Sequence, residues 1–222
     1  MTRIPRWFKV AYTIFVAVLV PYYWVTYTPW NFLYFCDVAL LVALVGVWRE
    51  SPLLVSTQAI GIIIPQLLWI TDLATRTVGL PITGAGGVTS YMFDAQIPVF
   101  VRGLSLFHGW LPIVLVWLVA RLGYDRRAFT VQSFFGVAVL LASYLLAPPP
   151  GAAGLAPAAS ANINYVYGIG SRTQTWIAPH AWFLLVATVV IAGFYLPAHL
   201  CFRRLFPTPE SRRASYARAR IL

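Results

Sequence analysis

The stretch that decides the fold is Asn31-Phe-Leu-Tyr-Phe-Cys36-Asp37-Val-Ala-Leu-Leu-Val-Ala-Leu-Val-Gly-Val-Trp48. It is apolar almost throughout, and its length is close to what a helix needs to cross the ~30 Å of hydrocarbon in a bilayer. Near its start, however, it carries a thiol and a carboxylate. An ionisable side chain inside a membrane span costs roughly 3 kcal/mol on insertion scales, so such residues commonly mark function. The stretch therefore predicts a membrane helix with a functional site near one end.

The composition of the whole chain also indicates a membrane protein. Of its 222 residues, 60% are hydrophobic and only 10% are charged, whereas a soluble domain carries about 25% charged residues. Hydrophobic runs long enough to span a bilayer occur six times. They lie at about 8–28, 31–48, 52–72, 103–121, 128–147 and 178–200. We therefore expect an all-α fold, a single polytopic bundle of six transmembrane helices over 1–222 with a basic tail at 202–222.

The charged residues are distributed unevenly along the chain. There are 16 Lys and Arg against 6 Asp and Glu, which gives a formal net charge of +10. Most of the cations lie in segments that alternating spans place on one side of the membrane. They are Arg3, Arg6, Lys9, Arg49, Arg121, Arg126, Arg127, Arg203, Arg204, Arg212, Arg213, Arg218 and Arg220. By the positive-inside rule, both termini are predicted to be cytoplasmic. The tail is expected to contact anionic lipid headgroups or only to set the topology, and no nucleic-acid partner is expected.

This topology also predicts the depth of each polar residue. Cys36 and His108 each lie about six residues inside a span that runs inward, so both should be about 9 Å below the outer surface. Asp72 is expected at the outer mouth, paired with Arg102 or Arg76. A site inside the membrane that opens to the outer leaflet is the simplest interpretation.

A thiol and an imidazole at one depth are the parts of a nucleophilic acyl-transfer site. A Cys reacts as its thiolate, and a nearby His can accept the thiol proton and return it to the leaving group. Cys36 is therefore the candidate nucleophile and His108 the candidate base, with Ser105 one turn earlier to orient the imidazole. An oxyanion would need hydrogen-bond donors. The candidates for that role are Asn31, Tyr34 and Gln66.

Asp37 is expected to have a structural role instead. Consecutive side chains on a helix point about 100° apart. We therefore expect Asp37 to turn away from Cys36 and to form a hydrogen bond across helices.

Five short motifs, in chain order, resemble one family. Leu33-Tyr-Phe-Cys36-Asp37-Val-Ala-Leu-Leu resembles the L-P-L-H-L-C-D-I-A-L-L segment of bacterial YwaF-type integral membrane proteins. The other four are similar to that family's Q-A-L-L-T-P-D-L, S-H-G, N-Y-M-F and Y-L-P. They are Gln66-Leu-Leu-Trp-Ile-Thr-Asp72-Leu, Phe107-His108-Gly109, Asn164-Tyr165-Val-Tyr and Phe194-Tyr-Leu-Pro197. The chain departs from the family at Tyr34, where the family has His, and at Thr71, where it has Pro.

The resemblance implies a function and a set of site residues. The family's eukaryotic relatives include an ether-phospholipid acyltransferase that uses a Cys and a His. The fold more remotely resembles the androgen-induced intramembrane hydrolases, which use Thr and His. Carried over by position, the resemblance implies Cys36 as nucleophile, His108 as base, and Asn164 and Tyr165 as supporting residues. It also implies membrane lipids as partners and the bacterial inner membrane as the location.

Two other classes of function remain open. His108, His180 and the acids could hold a haem or a metal ion, although no span carries two His at i,i+4, and we expect neither a cofactor nor a metal. Alternatively the chain is a non-catalytic membrane subunit or lipid-binding scaffold, since a lone Cys in a membrane helix is more often a packing residue. In that case Cys36 and His108 would not face each other. For an active enzyme, the acyl acceptor is either water or a second lipid.

Overall fold

A computed structural model of the chain describes residues 3–80, 82–84, 87–153, 160–169 and 172–218. Arg220, one of the predicted tail cations, lies outside these residues. The described residues form helices and loops and contain no β-strand, which confirms the all-α prediction.

The described chain contains nine α-helices and a π-helix. The α-helices are α1 (Arg6–Tyr27), α2 (Phe35–Arg49), α3 (Pro52–Thr77), α4 (Val99–Ser105), α5 (Phe107–Leu122), α6 (Ala128–Leu146), α7 (Pro179–Thr188), α8 (Leu196–Leu205) and α9 (Pro209–Arg218). The π-helix Val189–Tyr195 joins α7 to α8, and short 3-10 helices lie at Pro29–Leu33, Ser90–Phe93 and Ile163–Tyr165.

Within the described residues, five helical segments are long and apolar enough, by length and composition, to cross a membrane. They are Arg6–Tyr27, Pro52–Thr77, Val99–Leu122, Ala128–Leu146 and Pro179–Ala217. These five segments indicate a multi-pass membrane protein. The predicted span 31–48 is not among them, because α2 has only 15 residues and is therefore about 22 Å long at the α-helical rise.

The start of α2 differs from the prediction in a way that matters for the site. Thr28 has a positive φ of 75° and Pro29 follows it, so the chain turns through a 3-10 helix before α2 begins. Tyr34 is the N-cap residue, and α2 starts at Phe35. The expectation that Cys36 lies about six residues into a helix is therefore wrong, and Cys36 lies in the first turn of α2.

The π-helix has a cause in the sequence. Pro197 lacks a backbone N–H, and its ring would clash with the carbonyl of Gly193, four residues earlier, in a regular α-helix. The chain responds with i→i+5 hydrogen bonding over Val189–Tyr195. Wide turns of this kind occur mostly as isolated bulges and are common at functional sites.

Helix α3 is the centre of the bundle. It contacts α2, α5, α6, α8 and the π-helix, and the side chains of Val55, Ala59 and Ile60 are fully buried. The two ends of α3 lie in different surroundings, because Pro52 follows the short turn after α2 and Thr77 leads into a long loop.

The basic segments of the chain meet at one end of the bundle. We call this end, formed by residues 3–9, 49–52, 121–127 and 206–212, the basic end. The Arg121 guanidinium donates to the carbonyl of Arg3 at 3.3 Å. The Arg212 guanidinium donates to the carbonyl of Ala120 at 2.6 Å. The segments that were predicted to share one side of a membrane thus share one end of the molecule.

Candidate functional site

At the other end of the bundle lies a cavity of about 550 Å³. Helices α1, α2, α3 and α5, the π-helix and both long loops contribute to its walls. Nine of the residues predicted for the site line it. They are Cys36, His108, Asn31, Tyr34, Asp37, Gln66, Ser105, Asn164 and Tyr165. These residues come from positions that are up to 134 apart in the chain (Asn31 to Tyr165, 165 − 31), and the fold brings them to one space.

A chain of hydrogen bonds surrounds the thiol. The Cys36 Sγ donates to Oδ2 of Asp37 at 3.6 Å. Asn31 donates through Nδ2 to the same oxygen at 3.3 Å, and Ser160 donates to Oδ1 of Asn31 at 2.7 Å. The expectation that Asp37 turns away from Cys36 and bonds across helices is therefore wrong. In the first turn of a helix an acidic side chain can fold back toward the N-terminus, where no earlier turn blocks it.

The start of α2 is held by the second long loop. Asn164 accepts the N–H of Phe35 through Oδ1 at 3.2 Å, and through Nδ2 it donates to the carbonyl of Leu33 at 2.8 Å and to Ser143 at 3.0 Å. Asn164 itself has a φ of 55°, in the left-handed region that Asn adopts more readily than most residues other than Gly. Asn164 thus clamps the turn that carries Cys36.

His108 lies in the first turn of α5. Its ring packs against the rings of Phe107 and Trp69, with centroid distances of 4.1 and 5.1 Å. Its Nδ1 is buried and has no hydrogen-bond partner among the described residues. Ser105 shares its hydroxyl with Tyr23 at 2.9 Å and donates to the carbonyl of Val101. The expectation that Ser105 orients His108 is therefore wrong.

Four buried polar atoms of the cavity residues have no hydrogen-bond partner among the described residues. They are Oδ1 of Asp37, Oε1 of Gln66, Nε1 of Trp69 and Nδ1 of His108. A buried polar atom without a partner costs about 1–3 kcal/mol, so native proteins rarely contain several together. Oδ1 of Asp37 and Oε1 of Gln66 are acceptors, the role of Nδ1 of His108 depends on its tautomer, and Nε1 of Trp69 is a fixed donor. Four such atoms on residues of one cavity indicate that a polar ligand or ordered water completes the set.

Two predicted residues do not line the cavity. Asp72 is fully buried and accepts hydrogen bonds from the amides and hydroxyls of Thr83 and Thr89. Its ion pair is with Arg76, at 3.5 Å, which confirms one of the two predicted partners. Arg102 instead donates to the carbonyl of Met92 at 3.1 Å. Asp72 therefore anchors the first long loop, because a fully buried carboxylate is stable only when it is hydrogen-bonded and paired, and Thr83 and Thr89 of the loop supply the donors.

Other cavity residues were not predicted from the sequence. Trp69 lies three residues after Gln66, on the same face of α3, and this spacing could have identified it. Tyr91 lies in the single 3-10 turn Ser90–Phe93 and Ser160 in a loop. Neither segment has a periodicity that marks a residue lining a cavity.

The residues proposed for a haem or metal are not brought together. His180 is exposed and does not line the cavity that contains His108. Within the described ranges, no group of three or more His, Cys, Asp or Glu residues is placed so that it could hold a metal ion.

Comparison with protein-family models, with curated proteins and with solved structures found no match to this chain. The similarity to the YwaF-type family therefore rests on the five short motifs and stays a prediction. Function is therefore inferred from the geometry of the cavity.

Proposed function

We propose that this protein transfers or hydrolyses the acyl group of a membrane lipid, with Cys36 as nucleophile and His108 as base. One observation carries the proposal. The thiol and the imidazole, which are 72 residues apart in the chain (108 − 36), line the same cavity at one end of an otherwise apolar bundle. Residues that line that cavity also have buried polar atoms without partners in the described part of the chain, as expected of a site that binds a polar group of its substrate.

The position of the thiol favours this chemistry. The first amides of a helix have no acceptor within the helix, and the helix dipole is positive at that end. A thiolate, or an oxyanion that forms beside it, is stabilised there. Cys36 lies in the first turn of α2, and the amide of Phe35 is already occupied by Asn164. The amides of Cys36 and Asp37 are then the first-turn candidates to donate to the sulfur or to an oxyanion.

The reaction would have two steps. His108 accepts the thiol proton, the Cys36 sulfur attacks the ester carbonyl, and the alcohol leaves with the proton that His108 returns, so that a thioester remains. Water or a second acceptor then attacks the thioester, its proton passes to the sulfur, and the free thiol is restored. Among the predicted oxyanion donors, Asn31 is engaged with Asp37 and Ser160, so Gln66 and Tyr34 remain the side-chain candidates.

The proposed setting is the bacterial inner membrane, with six crossings and both termini in the cytoplasm. The basic end supports this orientation, because cations near the ends of spans favour the cytoplasmic side. The cavity would then open toward the outer leaflet, and α9 with its arginines would contact anionic headgroups on the inner surface. For α2 to complete the sixth crossing, the 3-10 helix Pro29–Leu33 must make up the length that its 15 residues lack.

One observation favours a second candidate, a non-catalytic lipid-binding subunit. Within the described residues, the hydrogen bond of the Cys36 thiol goes to Asp37, and none joins Cys36 to His108. Catalytic hydrogen bonds are often absent before substrate binds, so the two candidates differ in reactivity and not in this resting geometry.

The deciding experiment measures acylation of Cys36 in native membranes by an activated-ester lipid probe, with the labelled peptide identified by mass spectrometry. His108→Ala should slow labelling of Cys36 by roughly 100-fold or more, the usual contribution of a general base. His180→Ala is the matched control, because His180 is exposed and outside the cavity. Cys201, which is also exposed, should react at the same rate in every variant. Equal labelling of Cys36 with and without His108 would refute the catalytic pair and favour the second candidate, the non-catalytic lipid-binding subunit.

A further inference from the structure

The described residues that line the cavity include one acidic side chain, Asp37, and no Lys or Arg. A phosphate or carboxylate group in this space would have no Lys or Arg to pair with. A positively charged group could pair with the carboxylate of Asp37.

Asp37 differs from the other acids that the fold buries in whole or in part. Asp72 is paired with Arg76, Asp125 with Arg127, and Glu50 with Lys9 and Arg3. Asp37 is only 3% exposed, yet no Lys, Arg or His of the described chain lies within 4.0 Å of its oxygens. A buried carboxylate without a counter-ion is costly, so Asp37 stays ionised only where a cation from outside the chain balances its charge.

The aromatic residues that line the cavity together with Asp37 favour binding of an organic cation. Five tyrosines line it, together with Trp69, Phe35 and Phe194, and aromatic rings attract alkylammonium groups within about 6 Å of their centroids. Gln66 also lines the cavity, and its Oε1 is a second buried acceptor that has no partner among the described residues. An ammonium group would thus meet one carboxylate, one amide oxygen and aromatic walls.

Activation of the thiol does not explain the position of Asp37. Its Oδ2 is 3.6 Å from the Cys36 sulfur, and a carboxylate at that distance opposes the formation of a thiolate because like charges repel. A cation bound beside the two groups would offset this repulsion.

We infer that the cavity binds the ammonium group of an amphiphile with Asp37 as its counter-ion and that, on the proposed function, this amine is the acyl acceptor. The ammonium gives one proton to the Asp37 carboxylate and becomes a free amine beside the thioester of Cys36. The amine nitrogen attacks the carbonyl carbon, the C–N bond forms and the C–S bond breaks. A second proton passes from the nitrogen to the sulfur, so that an amide and the free thiol result. The proton on Asp37 is then released to water.

The binding step can be tested without any catalysis. Purified protein in non-ionic micelles is treated with iodoacetamide at neutral pH, with equal mole fractions of dodecylamine, dodecanol or dodecanoate in the micelle. Dodecylamine should slow alkylation of Cys36 at least tenfold more than the other two, whereas alkylation of Cys201 should not change. Asp37→Asn should abolish the advantage of the amine over the alcohol. Equal protection by the three probes, or the strongest protection by dodecanoate, overturns the inference, and this ranking in the unmodified protein needs no variant to fold.

The acceptor role has its own measurement. Protein acylated at Cys36 by the ester probe is mixed with dodecylamine or dodecanol, and the N-dodecyl amide and the dodecyl ester are quantified by mass spectrometry. The amide should form at least tenfold faster than the ester, and faster than from the same acylated protein after denaturation, which reports uncatalysed aminolysis. Transfer to the alcohol, or no gain over the denatured protein, overturns the acceptor role. Failure of Cys36 to become acylated at all would instead refute the proposed function, and the protection ranking would still decide the ammonium site.

Discussion

The two ends of this bundle differ in whether a carboxylate there, Glu50 at the basic end or Asp37 at the cavity end, is paired with a cation of the described chain. At the basic end, the carboxylate of Glu50 accepts hydrogen bonds from the amides of Arg3 and Ile4 and from the Lys9 side chain, so its charge is balanced within the chain. At the cavity end, Asp37 has two neutral donors and one oxygen without a partner among the described residues. A network that is complete within the chain stabilises the fold, whereas one that is left open is expected to bind something else.

This difference leads to a general expectation for substitutions. Changes at the basic end should lower stability and leave the reactivity of Cys36 intact. Changes at the cavity end should alter reactivity more than stability. Four substitutions test the comparison, in order of their expected effect on the free energy of unfolding.

The largest effect is expected at Gly123, which joins α5 to the following turn at the basic end. Its φ is +90°, and an added Cβ would lie 2.7 Å from backbone atoms of Pro209, which cannot move aside as a flexible side chain could. Strain and overpacking together should cost Gly123→Ala about 4 kcal/mol. Gly79→Ala is the matched control, because Gly79 also has a positive φ but has nothing within 4 Å of the added Cβ. Thermal unfolding in micelles measures both, and similar losses at the two sites would show that α9 does not press on this turn.

The next effect is expected at Glu50. Glu50→Gln leaves the buried Lys9 without its ion pair and should cost about 2 kcal/mol, less than a fully buried pair because Glu50 is partly exposed. Burial alone would raise the pKa of Glu50, but the hydrogen bonds from Lys9, Arg3 and Ile4 hold that pKa below its ordinary value of 4.5. The stabilisation is therefore present above about pH 4.5 and is lost as the pH falls through the lower pKa of the folded state.

The pH dependence gives this prediction its control. The difference in unfolding temperature between the unmodified protein and Glu50→Gln should be full at pH 7 and should shrink toward pH 3. Glu210→Gln, an exposed acid near the same end, should show no such difference at either pH. A gap that stays constant down to pH 3 would mean that the charge of Glu50 is not what stabilises the basic end.

A smaller effect on stability is expected at Asn164. Asn164→Ala removes three hydrogen bonds around the start of α2 and should cost about 1 to 2 kcal/mol. Because the clamp holds the turn that carries Cys36, acylation of Cys36 should slow more than the loss of stability explains. Ser143→Ala removes only one of the three bonds. As a control, it should have a smaller effect than Asn164→Ala on both stability and acylation. If Cys36 reacts at the unmodified rate in a folded Asn164→Ala protein, the clamp does not position the thiol.

The smallest effect on stability is expected at Asp37. Asp37→Asn is nearly isosteric and replaces a carboxylate that has no ion pair within the described chain, so the free energy of unfolding should change by less than about 1 kcal/mol. Labelling of Cys36 by the acyl probe should persist, since the thiol keeps its base. Complete loss of labelling in a well-folded variant would make Asp37 a direct partner in thioester formation and would contradict the role assigned to it.

Much of the architecture could be predicted from one-dimensional features of the chain. The runs at 52–72 and 128–147 became α3 and α6 because a long apolar segment can satisfy its backbone in lipid only as a helix. The clustering of the basic segments at one end followed from the alternation of spans. The count of six spans is not confirmed, because α2, in the apolar run 31–48, has only 15 residues and five segments of the described chain meet the length for a span.

The candidate site was predicted in its membership and not in its contacts. Cys36, His108 and Gln66 line one cavity, as predicted, although the count of residues into the helix was wrong for Cys36, because α2 begins only at Phe35. Their neighbours could not be assigned, since a hydrogen bond such as that from Cys36 to Asp37 depends on where the helix begins and on the rotamer of each side chain. The same holds for Arg102, whose partner depends on the path of a loop that has no periodicity.

The sequence by itself determined that this is a membrane protein and that it is helical. It also determined which residues are unusually polar for a membrane segment, because all three properties depend on composition and spacing alone. The tertiary structure alone decided which polar atoms found partners within the chain. It gave the carboxylates of Glu50 and Asp72 partners within the chain. It left Oδ1 of Asp37 and Nδ1 of His108, on two residues that line one cavity, without partners among the described residues. The physical reason is that hydrogen bonds and ion pairs act over about 3 to 4 Å, and at that range only the packing of helices and loops from distant parts of the chain brings one group to another.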